Sequence, residues 1–188
     1  MDSASPEQLS TRKLRKHRHE QLLRSYHKQR QRNALARPGV HDFILVLDHL
    51  KAGFNVPKIF RSAEAFGARE VHLIDIGPFD PSPAKGAFRK VPARFHDSFS
   101  QAHDELLAQG YNLFALTTTG DSRPLPEVAL PRRAAFVFGH EELGLSFDLA
   151  RWPDVQPLHI PQFGQTESLN VSVAASIVMY EYIRQLHS

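Results

Sequence analysis

Short apolar runs alternate with amphipathic stretches along most of the chain after residue 40. The runs are rich in Val, Ile, Leu and Phe and have the length of strands that are buried on both faces. Five such runs are present, at 43–48, 71–76, 112–119, 134–139 and 155–160. Because helical stretches separate most successive strands, the pattern predicts an α/β fold with a mostly parallel sheet flanked by helices.

Helical stretches are predicted from apolar residues at helical spacing and from the stop signals that follow them. They cover residues 55–66, 97–109, 146–152 and 168–186. Gly67 follows the first of these and Gly110 the second, as is typical where a helix ends. A Pro-rich segment at 77–96 is predicted to be a loop.

The first 40 residues differ from the rest. Residues 7–32 contain neither Gly nor Pro, but their few apolar residues are loosely spaced, so a helix there would have a thin apolar face. Such a segment is expected to order on a partner. The break "RPGV" at 37–40 sets the predicted boundary between an N-terminal arm (1–40) and a single domain (41–188).

Charge is distributed unevenly between these two parts. Residues 1–37 carry a formal charge of +7, whereas the remaining residues carry −4. A basic arm favours a polyanionic partner, most often nucleic acid, and the alternative is a solvated helix that aids solubility. The candidate phosphate contacts on the arm are Arg12, Lys13, Arg15 and Lys16. Lys85, Arg89, Lys90 and Arg94 form a second basic group, for which a solvated loop is the alternative.

Composition excludes several classes of site. The chain has no cysteine, so disulfides and thiolate metal sites are excluded. Its 11 histidines show no H-E-x-x-H spacing, so no metal site is expected, and most are expected at the surface. No apolar run reaches the length of a membrane span and the N-terminus lacks a secretory apolar segment, so we expect a cytoplasmic protein.

Polar or glycine-containing loops follow four of the predicted strands, at 48–55, 117–121, 139–146 and 161–170. Ligands of open α/β sheets bind beyond the carboxyl ends of the strands, so these loops are expected to form one site. No phosphate-binding G-x-x-x-x-G-K-[ST] or G-x-G-x-x-G motif is present. The acids in "GHEELG" would repel a pyrophosphate and favour a cofactor with a cationic centre.

Two further sets of side chains invite a chemical interpretation. Ser168, His159 and Asp154 are the residue types of a hydrolase triad, but no G-x-S-x-G elbow accompanies them, so this interpretation is disfavoured. Arg61 lies off the apolar stripe of helix 55–66 and close to the predicted site. An exposed arginine is the ordinary interpretation, and the alternative is a phosphate grip through two parallel hydrogen bonds.

Three segments together resemble motifs 1, 2 and 3 of the SpoU/TrmH family, within the SPOUT superfamily of RNA methyltransferases. They are "NVPKIFRSAEAFGAREVHLI" (55–74), "FVFGHEELGLS" (136–146) and "IPQFGQTESLNVSVAASIVMYE" (160–181). The resemblance covers roughly residues 41–186. It implies a SPOUT fold with a C-terminal deep trefoil knot, a rare threaded topology. It also implies S-adenosyl-L-methionine as cofactor, a homodimer with the active site at the interface, and methyl transfer to a ribose 2′-OH of RNA.

The resemblance assigns site residues by position. Those expected to contact the cofactor are Leu116, Thr117, Gly139, Ile160 and Leu169. Those expected to be catalytic are Arg61, Asn55, Glu141, Ser168 and Asn170. Pro57 and Lys58 depart from the small residues expected in the motif 1 turn, although proline is compatible with an early helical position.

Three functions are compatible with these patterns. The first is an RNA ribose 2′-O-methyltransferase, with tRNA favoured over ribosomal RNA because the chain carries only a basic arm beside the catalytic domain. The second is a non-catalytic RNA-binding or assembly factor with the same fold, which the presence of Arg61, Asn55 and Asn170 disfavours. The third is an unrelated α/β nucleotide enzyme, which the missing phosphate loops disfavour.

Overall fold

A sheet of parallel strands lies at the centre of the molecule. The computed structural model describes residues 6–118, 120–166 and 168–188, and within 6–12 it describes the backbone alone. In this part of the chain the strands are β1 Phe43–Asp48, β2 Glu70–Ile74, β3 Ala93–His96, β4 Asn112–Leu116, β5 Arg123–Pro124, β6 Ala134–Phe138 and β7 Val155–His159. Their order in the sheet is β3-β2-β1-β6-β4-β7-β5, and every neighbouring pair is parallel.

Helices cover both faces of this sheet, which confirms the predicted α/β architecture. The helices are α1 Pro6–Asn33, α2 Asn55–Ala65, α3 Phe99–Ala108 and α4 Val171–Leu186. Along β1, Phe43, Leu45 and Leu47 pack towards α2 and α4, while the alternate residues Ile44 and Val46 pack towards α3. The strand is thus buried on both faces, as its unbroken apolar run predicts. The threaded knot stays a prediction.

Several predicted boundaries shift for local reasons. β3 lies inside the Pro-rich segment for which the sequence predicts a loop, and this segment also contains single 3₁₀ turns at Ser82–Ala84 and Ala87–Arg89. The predicted helix 146–152 is wrong. That segment forms only a 3₁₀ turn at Leu149–Arg151, because Pro153 follows directly and disfavours helical geometry in the residue before it.

The last helix begins later than its apolar pattern predicts. Its N-cap is Asn170, whose side-chain oxygen accepts a hydrogen bond from the Ser172 N–H at 2.9 Å. Ser168 therefore lies in the loop before α4. At the edge of the sheet opposite β3, the two-residue strand β5 pairs with β7. Its sequence contains no apolar run from which a strand could have been predicted.

Residues 6–33 of the basic arm form the helix α1, and the final turns of this helix pack against the domain. Tyr26 and Asn33 are 1% and 6% exposed. By contrast, residues 13–19 are exposed on every side of the helix. The division into an arm at 1–40 and a domain at 41–188 stays a prediction. Within the described residues, no helix has both the length and the apolar composition needed to cross a membrane.

Candidate active site

A cavity of about 750 Å³ opens at the carboxyl end of the sheet, among the loops that follow β4, β6 and β7. This volume lies in the range typical of small-molecule sites. All five residues predicted to contact a cofactor line it. They are Leu116, Thr117, Gly139, Ile160 and Leu169. The predicted convergence of these loops is therefore present in the fold, since parallel strands end at a common edge.

One wall of the cavity is the tight loop 139–144. His140 N–H donates to the Gly144 carbonyl at 2.7 Å, and Gly144 N–H donates back to the His140 carbonyl at 2.9 Å. A Cβ at Gly139 would lie 2.4 Å from the carbonyl carbon of Gly144, so only glycine allows this approach. His140 Nδ1 accepts the N–H groups of Glu142 and Leu143 at 3.1 and 3.2 Å. Its proton therefore resides on Nε2.

A chain of side-chain hydrogen bonds joins the three motifs beside the cavity. Asn55 donates to Glu141 Oε1 at 2.8 Å, and Asn170 donates to Asn55 Oδ1 at 3.1 Å. Asn170 Oδ1 accepts in turn from the N–H and hydroxyl of Ser172, at 2.9 and 2.6 Å. We call Glu141, Asn55, Asn170 and Ser172 the relay. Each amide uses its oxygen towards one partner and its nitrogen towards the other, so the relay fixes both side-chain orientations.

The relay holds Glu141 in its charged form. The limited burial of this carboxyl would by itself raise its pKa, but hydrogen bonds from Asn55 and from the Lys51 N–H outweigh burial and lower the pKa below its ordinary value of 4.5. Lys51 also reaches the next residue of the loop, because its Nζ lies 2.6 Å from Glu142 Oε1. Lys51 balances the charge of Glu142, so the negative charge of this wall resides on Glu141.

Arg61 lies apart from this cavity. It is exposed on α2 and lines a groove of about 870 Å³ between α2, α4 and the turn at Ser82–Ala84. Lys58 and Lys85 share this groove. Among the predicted catalytic residues, Glu141, Ser168 and Asn170 line the cofactor cavity, and Asn55 is bonded to two of them. Within one chain, the structure brings these four together and leaves Arg61 in the neighbouring groove.

A buried aspartate missed by the motif reasoning anchors the site. Asp48 ends β1 and is fully buried. Its two carboxylate oxygens accept the N–H and the hydroxyl of Ser146, each at 2.7 Å. This pair fastens the end of the 139–146 loop to the central strand. The available signal was an acid directly after five apolar residues in "FILVLD".

The residues imagined as a hydrolase triad have other partners. His159 Nδ1 lies 3.1 Å from the Ser122 hydroxyl, and Asp154 Oδ2 lies 2.6 Å from His103 Nε2. Ser168 lies in the cofactor cavity. The geometry therefore gives the triad no support.

The predicted RNA contacts differ in how they are engaged. Lys13, Arg15 and Lys16 are exposed on α1, and the side chain of Arg12 lies outside the described residues. Lys85 and Arg89 are exposed on the segment before β3. Lys90 forms an exposed ion pair with Glu64 at 2.7 Å. Exposed pairs contribute little free energy, so this one leaves the Lys90 ammonium open to exchange with a phosphate.

Known proteins share this fold and these motifs. The model of the SpoU rRNA Methylase family matches residues 42–180. A tRNA (guanosine(18)-2′-O)-methyltransferase of Thermus thermophilus is 29% identical over 148 residues, which are 77% of this chain and 75% of that protein. The enzyme of the same name from Escherichia coli K12 is 29% identical over 147 residues, 77% of this chain and 64% of the relative.

Solved structures extend the likeness to the backbone. The SpoU methyltransferase AviRb from Streptomyces viridochromogenes, in complex with the cofactor AdoMet, has a TM-score of 0.71 at 26% identity and covers 80% of this chain and 60% of that one. A structure concerned with 2-OH methylation of C/U34 on tRNA has a TM-score of 0.67 at 32% identity, covering 80% of this chain and 94% of that one. The chain therefore belongs to the SpoU methylase family.

Proposed function

We propose that this protein transfers a methyl group from S-adenosyl-L-methionine (AdoMet) to a ribose 2′-OH of RNA, and that the RNA is tRNA. The observation that carries the proposal is the relay. It binds Asn55, Glu141 and Asn170, one residue from each family motif, into a single hydrogen-bonded unit at the mouth of a ligand-sized cavity.

The chemistry of the cavity suits AdoMet. Leu116, Ile160 and Leu169 offer apolar contacts for an adenine ring, and the loop at 139–144 offers backbone groups. The Glu141 carboxylate favours a cationic sulfonium and disfavours a pyrophosphate. When bound, AdoMet supplies an activated methyl group, so the chain has to supply alignment and a route for the hydroxyl proton.

Arg61 is proposed to act on the RNA. A guanidinium stays protonated in proteins, so Arg61 is not a free base. Arg61 instead binds the phosphate next to the target ribose. This phosphate accepts the proton of the ribose hydroxyl, and Arg61 stabilises the developing alkoxide. The relay orients the ribose from the opposite side. Asn55 belongs to both parts of the site, because it begins the helix that carries Arg61 and donates to Glu141.

A homodimer across the groove would complete this arrangement. Val173, Ile177 and Tyr180 recur at helical spacing along α4 and line the groove, and Val173 and Tyr180 are 47% and 60% exposed. Apolar side chains exposed in a row are typical of a protein interface. We propose that a second copy covers them, which places Arg61 at the interface. Val173→Glu is expected to yield a monomer in sedimentation analysis, whereas a dimer of unchanged stability would contradict this proposal.

The choice of tRNA rests on the relatives from Thermus thermophilus and Escherichia coli, which are named for tRNA. A cytoplasmic location, where tRNA is processed, is part of the same proposal. Ribosomal RNA is the second candidate, because the family model is named for rRNA. Mapping ribose methylation in a deletion strain separates them. Loss of one methyl group in tRNA is the expected result, and loss in ribosomal RNA with intact tRNA would replace the substrate.

The test of the catalytic assignment is Arg61→Ala. Its turnover on unfractionated tRNA from the deletion strain is expected to fall at least about 100-fold, a decrease comparable to removing one oxyanion donor. AdoMet affinity by calorimetry should stay unchanged, because Arg61 lies outside the cofactor cavity. Arg132→Ala is the control, since Arg132 is 82% exposed and lines neither the cavity nor the Arg61 groove. Near wild-type turnover of Arg61→Ala would remove Arg61 from the mechanism.

RNA binding by the arm is tested by truncation. Tyr26 and Asn33 are buried, so the deletion should end at residue 20 and leave the packed turns intact. Removing residues 1–20 is expected to weaken tRNA binding and to lower the salt slope by about one for each phosphate that the arm neutralises. AdoMet affinity should not change. An unaltered salt slope would contradict the assignment of Arg12, Lys13, Arg15 and Lys16 as phosphate-binding residues.

A further inference from the structure

Four buried aromatic rings connect the basic arm to the helix that carries Arg61. Tyr26 of α1 packs against Phe79 and Phe88, with ring centroids 5.2 and 5.8 Å apart. Phe88 in turn packs edge-on against Phe60 of α2 at 5.0 Å. Each of these rings is at most 1% exposed. Phe60 immediately precedes Arg61, so the packing runs from the arm to the backbone of the proposed catalytic residue.

Asn33, the last residue of α1, adds hydrogen bonds from this helix to the backbone of residues 88–93. We call these bonds the latch. The Asn33 amide nitrogen donates to the carbonyls of Phe88 and Val91 at 2.5 and 2.7 Å, and its side-chain oxygen accepts the Ala93 N–H at 3.0 Å. The side chain is buried and makes three hydrogen bonds to one segment of backbone. An apolar replacement would leave two carbonyls and one N–H without these partners, which is costly in a buried position.

A third contact gives the docked part of α1 a defined face. The Arg30 guanidinium lies 4.0 Å from the centre of the Phe95 ring. Tyr26, Arg30 and Asn33 are spaced by four and three residues, so they share one side of the helix. All three contact the segment 79–95. Lys13, one of the residues proposed to bind RNA, lies about 20 Å along the helix axis from Tyr26 at 1.5 Å per residue.

We propose that Asn33 and Tyr26 are positioning residues, which fix the direction of the exposed arm relative to Arg61. The inference rests on the proposed function, because it assigns the arm to RNA. A flexible arm would add affinity by raising the local concentration of RNA. A docked arm also sets the distance between the bound phosphates and the target ribose, and small misplacements of a reacting group cost rate. Arg89 follows Phe88 directly, so the second basic group moves with the same unit.

Two variants release the arm in different ways. Asn33→Ala removes the latch. Three glycines inserted after His19 leave the latch and the ring cluster intact and interrupt only the exposed helix, so this variant does not disturb the core. Gln31→Ala is the matched control, because it removes an amide side chain that is exposed on the same helix. Thermal unfolding and AdoMet calorimetry establish that each variant is folded.

Arm direction is measured by electron–electron spin distances. The chain has no cysteine, so cysteines at positions 19 and 107, both exposed, can be labelled selectively and mixed with excess unlabelled protein. We expect a narrow distance distribution in the parent and in Gln31→Ala, and a broad one in Asn33→Ala. In the glycine variant a second label pair is used, in which the cysteine at position 15 replaces the one at position 19. The distance distribution of this pair should broaden. A broad distribution in the parent, or no broadening in either variant, would overturn the proposal.

Kinetics on unfractionated tRNA supply the functional result. Both releasing variants keep all cations of the arm, so KM is expected to stay within about twofold of the parent, while kcat falls about 10-fold. A variant that only loses stability would contain less active enzyme, but its kcat and KM per active site would both match those of the parent. Unchanged kcat in both variants would overturn the positioning role. If the parent neither binds AdoMet nor methylates RNA, the proposed function fails, and the spin distances still decide whether the latch fixes the arm.

Discussion

The molecule contains two hydrogen-bonded networks of polar side chains, and they lie in different parts of the fold. The relay joins loops at the carboxyl edge of the sheet and consists mostly of exposed or half-buried groups. The second network lies on β2 and β3: His96 Nε2 is 3.0 Å from His72 Nδ1, and His72 Nε2 is 3.3 Å from Glu70 Oε1. We call His96, His72 and Glu70 the ladder. His72 is fully buried, and Glu70 is 5% exposed.

The ladder is hydrogen-bonded from end to end. The Glu70 carboxylate accepts from His72 Nε2, and of His72 Nδ1 and His96 Nε2 one nitrogen donates and the other accepts. Arg94 Nε completes the set at 3.2 Å from the other oxygen of Glu70. Every member is satisfied within the protein, which fits a structural role. The relay instead ends at a cavity, where a ligand can take up its remaining hydrogen-bonding positions.

This difference separates function from stability in a testable manner. A polar network in loops around a cavity should control activity with little effect on folding, because water replaces a partner that is removed. A buried network between strands should control folding with little effect on activity, because water cannot reach its groups to replace a missing partner.

The largest expected effect comes from breaking the relay at its centre. Asn55→Ala removes the donor to Glu141 and the acceptor for Asn170. We expect turnover on unfractionated tRNA to fall about 100-fold, as for loss of a preorganised polar group at a reacting centre. Stability to denaturant should fall by no more than about 1 kcal/mol, since both partners are exposed.

Asn112→Ala is the control away from the site. Asn112 is an exposed asparagine that donates to the Arg133 carbonyl at 3.4 Å, and it lines neither the cavity nor the Arg61 groove. Its turnover should stay within about threefold of the parent. Equal losses in Asn55→Ala and Asn112→Ala would mean that the relay has no special role.

A smaller effect is expected from the wall of the cavity. In Gly139→Ala the new Cβ would meet the backbone of Gly144 at 2.4 Å and of Leu145 at 2.6 Å, so the loop at 139–144 must move. We expect AdoMet affinity to fall about 10-fold and stability to fall by about 1–3 kcal/mol, as in other overpacked sites. Isothermal calorimetry and denaturant unfolding measure the two effects.

The matched control is Gly164→Ala, in the loop before α4. A Cβ there would meet no atom within 4 Å. Its affinity for AdoMet is expected to match that of the parent. Tight AdoMet binding by Gly139→Ala would show that the close approach of the two glycines does not shape the cofactor wall.

The relay edge was largely predictable from the sequence, and the ladder was not. Unbroken apolar runs identify strands that are buried on both faces, and parallel strands bring their following loops to one edge, so the loops around the cavity could be named in advance. The individual residues in these loops were assigned by the family resemblance. The separation of Arg61 from the cavity depends on the packing of α2 against α4, which no local pattern contains. Likewise, the docking of Tyr26 depends on Phe79 and Phe88, more than 50 residues away.

The ladder escaped prediction because histidine has no fixed preference for burial. His72 occupies an ordinary position in the strand pattern "VHLIDI", and its partner His96 belongs to β3, which lies inside the Pro-rich segment 77–96 and has no apolar run. Nine of the 11 histidines are exposed or half-buried, in line with the expectation for most of them, whereas His72 and His103 are buried. A buried histidine is recognised only when its partner across the sheet is known.

The smallest expected effect is a pH dependence of stability from the ladder. Burial, and next the proximity of His72, lower the pKa of His96 below its ordinary value of 6.5, and this outweighs the opposing influence of Glu105 and Glu70. Between the folded and unfolded pKa values, the unfolded chain binds more protons. The contribution of neutral His96 is therefore complete above about pH 6.5 and is lost as the pH falls through the lower folded value.

This window is distinct from that of the neighbouring carboxylate. Burial alone would raise the pKa of Glu70, but hydrogen bonds from His72 and Arg94 outweigh burial and lower it below 4.5. The stabilisation that ionised Glu70 provides is therefore lost only as the pH falls below about 4.5, which is more acidic than the interval for His96. Comparing His96→Gln with the parent between pH 7 and pH 5 isolates the histidine, because both proteins keep the same carboxylates.

We expect the melting temperature of the parent to fall more than that of His96→Gln over this interval. A difference of about 1 kcal/mol would appear as about 2–4 °C in a chain of this size. His19→Gln, in the exposed arm, should follow the parent. Methyl transfer at pH 7.5 should be unaffected by His96→Gln, since the ladder lines neither the cavity nor the Arg61 groove. Parallel melting curves for the parent and His96→Gln would assign the pH dependence to other groups, whereas a loss of methyl transfer in a folded His96→Gln variant would join the ladder to the site.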